Sequence, residues 1–307
     1  MSVYDDRKYL IIGGTTKAAT TSLFFYLSEH PQVCASSMKE TRFFLDPDYP
    51  VKSKYRFEDG LEKYQEFFSH CSDKKLIRLE ATPDYLYSQN TARKIFDSFP
   101  NALVVFVLRE PRSRLISWFR FAKQRGLLST EISLDEYIKT QLHNPISKKT
   151  PQHMRALEQG CYSIYLKNFY NLLEPERILI TFFEDLKRNP ISVVKNICDY
   201  SDIAPTYYEE FDFKIYNPTR NLRNPKINKI YNQIQLFIRH RTHNKQAIHG
   251  ILKRIRLLLD SFYFPIDKNK KSENMFISPD LSKLIDDYYE IDRQDLENLI
   301  QRKIPWN

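Results

Sequence analysis

Short apolar runs alternate with stretches of helical period along most of the chain. Lys8–Ile12, Lys75–Leu79, Leu103–Leu108 and Ile178–Phe183 are runs of five or six residues, the length of buried strands. Thr20–Ser28, Leu61–Phe68, Thr91–Phe99, Arg112–Arg125 and Tyr162–Leu173 read as helices between them, and Pro279–Ile304 as one more near the end. Such alternation predicts an α/β fold with a central parallel sheet flanked by helices in three layers. Asn217–Pro225, with two prolines and three asparagines, reads as a loop. Beyond it, Ile227, Ile230, Tyr231 and Ile234 share one helical face, as do Ile251, Ile255, Leu258, Leu259 and Phe262, with basic residues opposite. The expectation is a single domain over 1–307 with a basic helical insertion at 214–271.

Composition narrows the class. The 307 residues are 42% hydrophobic and 14% aromatic, ample for a folded core. No apolar run approaches the roughly 20 residues of a membrane span. Met1–Arg7 is polar and leads into a strand, so no signal peptide is expected. Cys34, Cys71, Cys161 and Cys198 are scattered without paired spacing, which predicts neither disulfide nor zinc site and suits a reducing, cytoplasmic setting. The formal net charge of +9 is uneven. Lys214–Lys271 holds fourteen Lys and Arg against two Asp, or +12, which leaves the remainder at −3. Two surface helices, a peripheral membrane contact or a partner face all remain open for this segment.

Two stretches have the chemistry of anion sites. Gly13-Gly14-Thr15-Thr16-Lys17-Ala18-Ala19-Thr20-Thr21-Ser22 follows a strand and opens a helix, where backbone N–H groups and the helix dipole can hold a phosphate. Lys17 adds a cation, and Thr20, Thr21 and Ser22 add hydroxyls. It lacks the Lys-Ser/Thr pair of a Walker A loop. The alternative is an ordinary βα turn capped by Thr20. Leu103–Leu108 is followed by Arg109-Glu110-Pro111-Arg112-Ser113-Arg114-Leu115-Ile116-Ser117. Arg109 stands at a strand's carboxyl end, where open α/β sheets bind ligands, and can grip an oxyanion bidentately. Ser117 can add a hydroxyl. The alternative is a surface helix whose Arg112, Arg114 and Arg120 are solvated.

In order and context these stretches resemble the sulfotransferases that use 3′-phosphoadenosine 5′-phosphosulfate (PAPS). Lys17–Leu23 is similar to the family's 5′-phosphosulfate loop, K-x-G-T-[ST]-x-L, and Arg109–Ser117 to its 3′-phosphate motif. Lys39-Glu40-Thr41-Arg42-Phe43-Phe44 resembles K-E-x-x-F-F of the carbohydrate branch, and Glu80–Tyr85 its E-x-[ST]-P-x-Y. Gly160-Cys161-Tyr162, Glu184-Asp185-Leu186 and Trp306 match later landmarks. The resemblance implies a P-loop-like fold and transfer of sulfonate from PAPS to a hydroxyl or amine, on a carbohydrate or other small acceptor. It leaves 3′,5′-adenosine bisphosphate as product and needs no metal or nucleic acid. It makes Glu40 the general base and Lys17 the cation at the leaving phosphate. It places the donor on Lys17, Ala18, Ala19, Thr20, Thr21 and Ser22, with Arg109 and Ser117 at the 3′-phosphate and Tyr162 and Arg220 as further contacts. Burial beside Phe43 and Phe44 is expected to tune Glu40, and Phe43, Phe44, Tyr85 and Tyr87 are candidate acceptor contacts. Ala19 replaces the family's Gly, which is harmless if its φ is an ordinary helical one. Ala81 stands where some heparan-modifying relatives carry Lys. A P-loop kinase or NTPase, and a basic nucleic-acid- or membrane-binding protein, are the competing readings. Against the kinase, no Asp follows the apolar run that ends at Leu108.

Overall fold

The computed structural model describes residues 8–72, 74–129, 131–144, 146–147, 150–214 and 277–306. The loop and basic helices expected between Asn217 and Lys271 lie outside the described residues, as does Arg220. The chain gathers into two compact units. One comprises Met1–Arg114, Leu157–Asn217 and Leu284–Asn307, and the other Leu115–Ala156 and Pro218–Lys283.

The first unit holds a five-stranded, all-parallel sheet. Its strands are β1 (Lys8–Gly14), β2 (Val33–Ala35), β3 (Ile77–Ala81), β4 (Leu103–Leu108) and β5 (Ile178–Phe182), in the order β2-β3-β1-β4-β5. Parallel strands must be joined by crossovers, so helices cover both faces and the strands are apolar on both sides. Tyr9 and Ile11 of β1, with Val104, Phe106 and Leu108 of β4, enter one core. Leu10, Ile12, Val105 and Val107 enter the other. Helix α1 (Thr20–Ser28) and α8 (Pro190–Ser201) pack on the second core; α2 (Leu61–Gln65), α3 (Thr91–Ser98) and α6 (Tyr162–Tyr170) pack on the first. The first is rich in rings: Tyr9 stacks on Phe99 at 3.9 Å between centroids, and Tyr64 meets Phe43 and Phe44 at 5.1 and 5.0 Å. The α/β architecture agrees with the sequence pattern. Helix α4 (Pro111–Gln124) starts in the first unit and continues into the second. There α5 (Leu134–His143) begins at Ser133, whose hydroxyl accepts the Glu136 N–H. Helix α7 (Phe183–Arg188) follows β5, and α9 (Pro279–Ile300) precedes the carboxyl end. Among the described residues no helix is long and apolar enough to cross a membrane.

The expectation of unpaired cysteines fails. Cys34 of β2 and Cys71 form a disulfide with Cα atoms 5.8 Å apart. Pairing of β2 with β3 brings together two residues 37 apart in sequence, which linear spacing does not reveal. Cys161 and Cys198 are buried thiols, and burial pushes both up to about 12.

Candidate active site

Four segments leave the carboxyl edge of the sheet, and they carry the chemistry. The first follows β1. Between Ile12 and Gly14 the β1–β4 register shifts, so Ile12 pairs with Val105 and Gly14 with Phe106. Glycine is needed there for closeness rather than for φ: a Cβ on Gly13 would meet Phe106 at 2.9 Å, and one on Gly14 would meet Leu86 at 3.0 Å. The Thr15 N–H donates to Val107 O at 2.9 Å, and the Thr15 hydroxyl donates to the Tyr87 hydroxyl. Lys17, half-buried, has φ 68°, and Ala19 has φ 61°. Ala19, not Thr20, is the cap position of α1, and no side chain caps that end. Ala18 is buried in the second core, while Thr20 is the first helical residue. The helix start therefore presents its polarity without a carboxylate or hydroxyl cap, as a phosphate-binding turn does.

The ordinary helical φ expected for Ala19 is thus corrected: the turn needs the left-handed region, which is why glycine suits it. A left-handed Ala costs about 1–2 kcal/mol, partly offset by the greater freedom of Gly in the unfolded chain. Ala19→Gly should therefore stabilise the protein by roughly 0.5–1 kcal/mol. A denaturant melt in which the midpoint stays put or falls would contradict this backbone assignment.

The second segment follows β4. The Arg109 guanidinium donates to Lys17 O at 3.0 Å and lies 4.3 Å from the Phe183 ring centroid. Its buried Nε has no hydrogen-bond partner among the described residues. Burial lowers the Arg109 pKa, against the pull of Glu184, Tyr162 and Glu110. The Tyr162 hydroxyl donates to Arg109 O at 2.7 Å, and Glu184 accepts the Glu110 N–H at 3.0 Å while its other oxygen takes the Trp306 indole N–H at 2.9 Å. The Glu-Asp-Leu turn and the terminal Trp thus brace this loop. Glu110 caps α4 itself, accepting from the N–H groups of Arg112 and Ser113 at 2.9 and 2.6 Å. Tyr162 is fully buried with its hydroxyl on the Arg109 main chain, so it holds this loop in place. Ser117 is buried farther along α4, in the second unit.

Arg114 is not solvated, contrary to the surface-helix alternative; it is fully buried. Its Nε donates to Thr16 O at 3.1 Å, and a terminal nitrogen donates to the Thr16 hydroxyl at 3.0 Å and to Gln159 Oε1 at 3.1 Å. The Tyr87 ring lies 5.7 Å from the guanidinium, and the Tyr87 hydroxyl donates to Gln159 O at 3.2 Å. Arg114, Tyr87 and Gln159 form the floor that holds the first loop. Arg112 is the outward one, paired with Asp286.

The third and fourth segments are the Lys39–Phe44 stretch after β2 and the Glu80–Tyr87 stretch at the end of β3. They are laced together. Ala81 N–H donates to Lys39 O at 3.1 Å, Arg42 N–H to the Thr82 hydroxyl at 3.1 Å, and Phe44 N–H to the Tyr85 hydroxyl at 3.3 Å. The Thr41 hydroxyl donates to Glu80. Phe43, Phe44 and Tyr85 are fully buried in the aromatic core. They anchor the stretch and do not face an acceptor, which corrects the expectation for them. Tyr87, half-buried, is committed to Thr15 and Gln159. Glu40 is half-buried and bridges two cations, Lys39 at 3.3 Å and Arg42 at 2.8 Å. Burial raises its carboxyl, but the two cations outweigh burial and hold it below the usual carboxylate range. The upward tuning expected from Phe43 and Phe44 is overridden by these neighbours.

The sulfotransferase domain model matches residues 7–250. The chain belongs to the sulfotransferase family. It is 28% identical over 225 residues to bifunctional heparan sulfate N-deacetylase/N-sulfotransferase 2 of Homo sapiens, covering 70% of this chain and 23% of that protein. It is 36% identical over 117 residues to membrane-associated sulfotransferase kil1 of Dictyostelium discoideum, covering 37% of this chain and 23% of that protein. The chain thus spans about a quarter of the length of these curated relatives. A solved sulfotransferase from Alicyclobacillus acidocaldarius shares the fold, with a TM-score of 0.65 at 20% identity over 97% of both chains. In this sulfotransferase the two anion motifs meet directly, through Arg109 and the Lys17 carbonyl and through Arg114 and Thr16.

Proposed function

We propose that the chain transfers sulfonate from PAPS to a hydroxyl or amine of a carbohydrate or another small acceptor. The 5′-phosphosulfate would lie on Lys17–Ser22, and the 3′-phosphate on Arg109. The observation that carries this reading is the Arg109 guanidinium. It is held at the carboxyl end of β4 against the Lys17 loop, with a buried N–H that no described group accepts. Lys17 and the α1 N–H groups stabilise charge as it develops on the leaving phosphate, a field fixed before reaction. Glu40 accepts the proton of the attacking group. Support for a carbohydrate acceptor comes from the relatives named for heparan sulfate, and a screen of sugars, amines and phenols with radiolabelled donor tests it.

The ion pairs on Glu40 give a pH signature. Only the carboxylate accepts a proton, and its pKa is lowered, so it stays ionised to lower pH than an ordinary Glu. The acid limb of kcat should lie below the usual carboxylate range. Glu40→Ala should abolish that limb and lower turnover by roughly 100-fold while adenosine bisphosphate still binds. Normal turnover by Glu40→Ala would remove Glu40 from the base role.

A further inference from the structure

Glu80 is a carboxyl in the wrong company. On β3 it pairs in register with Ile11, so its side chain falls on the aromatic face of the sheet. It is fully buried, and its Oε1 has no hydrogen-bond partner among the described residues. Nothing in the donor site uses it. A group this costly to bury points to a task.

The hydrogen bonds around it run in one direction. The Phe44 N–H donates to the Tyr85 hydroxyl at 3.3 Å, and Tyr85 lies 3.1 Å from the Thr41 hydroxyl. The Phe43 N–H also donates to Thr41, at 3.3 Å, and Thr41 donates to Glu80 Oε2. Each hydroxyl has one proton to give. The consistent assignment is Phe44 to Tyr85 to Thr41 to Glu80, with Glu80 as the last acceptor. Two main-chain N–H groups of the Lys39–Phe44 stretch therefore depend on one buried carboxyl, and Glu40 is the residue before Thr41.

We propose that Glu80 is a positioning residue: it terminates the Tyr85–Thr41 relay and so fixes the Lys39–Phe44 stretch, and Glu40 with it, at the end of β3. This deepens the reading of Glu40 as the base and rests on it for its catalytic consequence. Its structural consequence stands independently. The groups facing Glu80 are Thr41 and Lys39 from the stretch itself, Tyr64 from α2 and Tyr85 from the turn after β3. Lys39 is the one cation among them. Burial pushes the Glu80 carboxyl up to about 7, against the hydrogen bond from Thr41 and the charge of Lys39. The group is thus neutral in the folded protein at pH values where it is ionised in the unfolded chain. Its folded-state pKa is raised, so its contribution to stability is greatest below the ordinary Glu range and is lost as pH rises through about 7.

Hydrogen exchange read by mass spectrometry on the Lys39–Asp46 peptide tests this, in wild type, Glu80→Leu, Glu80→Gln, Thr41→Val and Glu40→Ala. Loss of the terminal acceptor (Glu80→Leu) or of the linking hydroxyl (Thr41→Val) should speed exchange in this peptide at least about tenfold. The Kd for 3′,5′-adenosine bisphosphate should stay within about twofold in each. Glu80→Gln keeps a carbonyl for Thr41 and should restore slow exchange, but should not show the wild-type loss of stability up to about pH 7. With the acceptor returned by the screen, Thr41→Val should lower kcat about tenfold with little change in donor KM. If Glu80→Leu fails to fold, Thr41→Val carries the test, since it leaves the core volume intact. Wild-type exchange in Thr41→Val, or a Glu80→Gln peptide as fast as that of Thr41→Val, would overturn the proposal. Normal turnover by Glu40→Ala would instead overturn the base reading and leave the exchange result to decide the role of Glu80.

Discussion

Arg114→Ala is expected to be the most destabilising single change in the donor region. Arg114 is fully buried and donates to Thr16 O, the Thr16 hydroxyl and Gln159 Oε1 among its partners. Truncation leaves these acceptors without their donor, each at a cost of about 1–3 kcal/mol, and opens a cavity the size of a long side chain. A loss of about 3–5 kcal/mol follows, or roughly 10 °C in Tm for a unit of this size. Arg114→Lys should recover little, because a single ammonium cannot reproduce the planar fork. Thermal melting of the two variants checks this. A Tm within about 2 °C of wild type for Arg114→Ala would mean that the buried fork is not what holds the Thr16 turn.

How legible this was varies with the physics that sets each feature. The runs at Leu103–Leu108 and Ile178–Phe183 are apolar on both sides because both sheet faces are covered, and their strands fall where the pattern puts them. Strand β2 has three residues and offers too little pattern to see. Two helices outside the alternating pattern carry start signals of their own. Ser133 followed by Glu136 is an α5 start, and Asn189-Pro190 with Val193, Val194 and Ile197 is an α8 start and face. The motifs show which residues matter but not how. Arg112 and Arg114 sit in one run, yet Arg114 stands four residues before buried Trp118, on the same helical face. The sequence around Ala19 is compatible with either sign of φ, because the demand comes from the turn and not from Ala. Phe43 and Phe44 look like acceptor contacts in a motif and are core anchors in the fold. The Cys34–Cys71 pair and the Thr41–Glu80 relay depend on strand order, which no local window contains.

On the proposed function, Arg109 and the Lys17 loop form one site for a doubly phosphorylated adenosine. Removing a buried, charge-assisted phosphate contact costs about 2–5 kcal/mol. Arg109→Ala should therefore weaken binding of 3′,5′-adenosine bisphosphate roughly 100- to 1000-fold. ATP lacks the 3′-phosphate, so it should bind wild type weakly and lose little affinity in the variant. Calorimetric titration of wild type and Arg109→Ala with both nucleotides measures this directly. The predicted result is tight bisphosphate binding by wild type alone. Equal binding of ATP and bisphosphate by wild type, or bisphosphate binding untouched in Arg109→Ala, would contradict the claim.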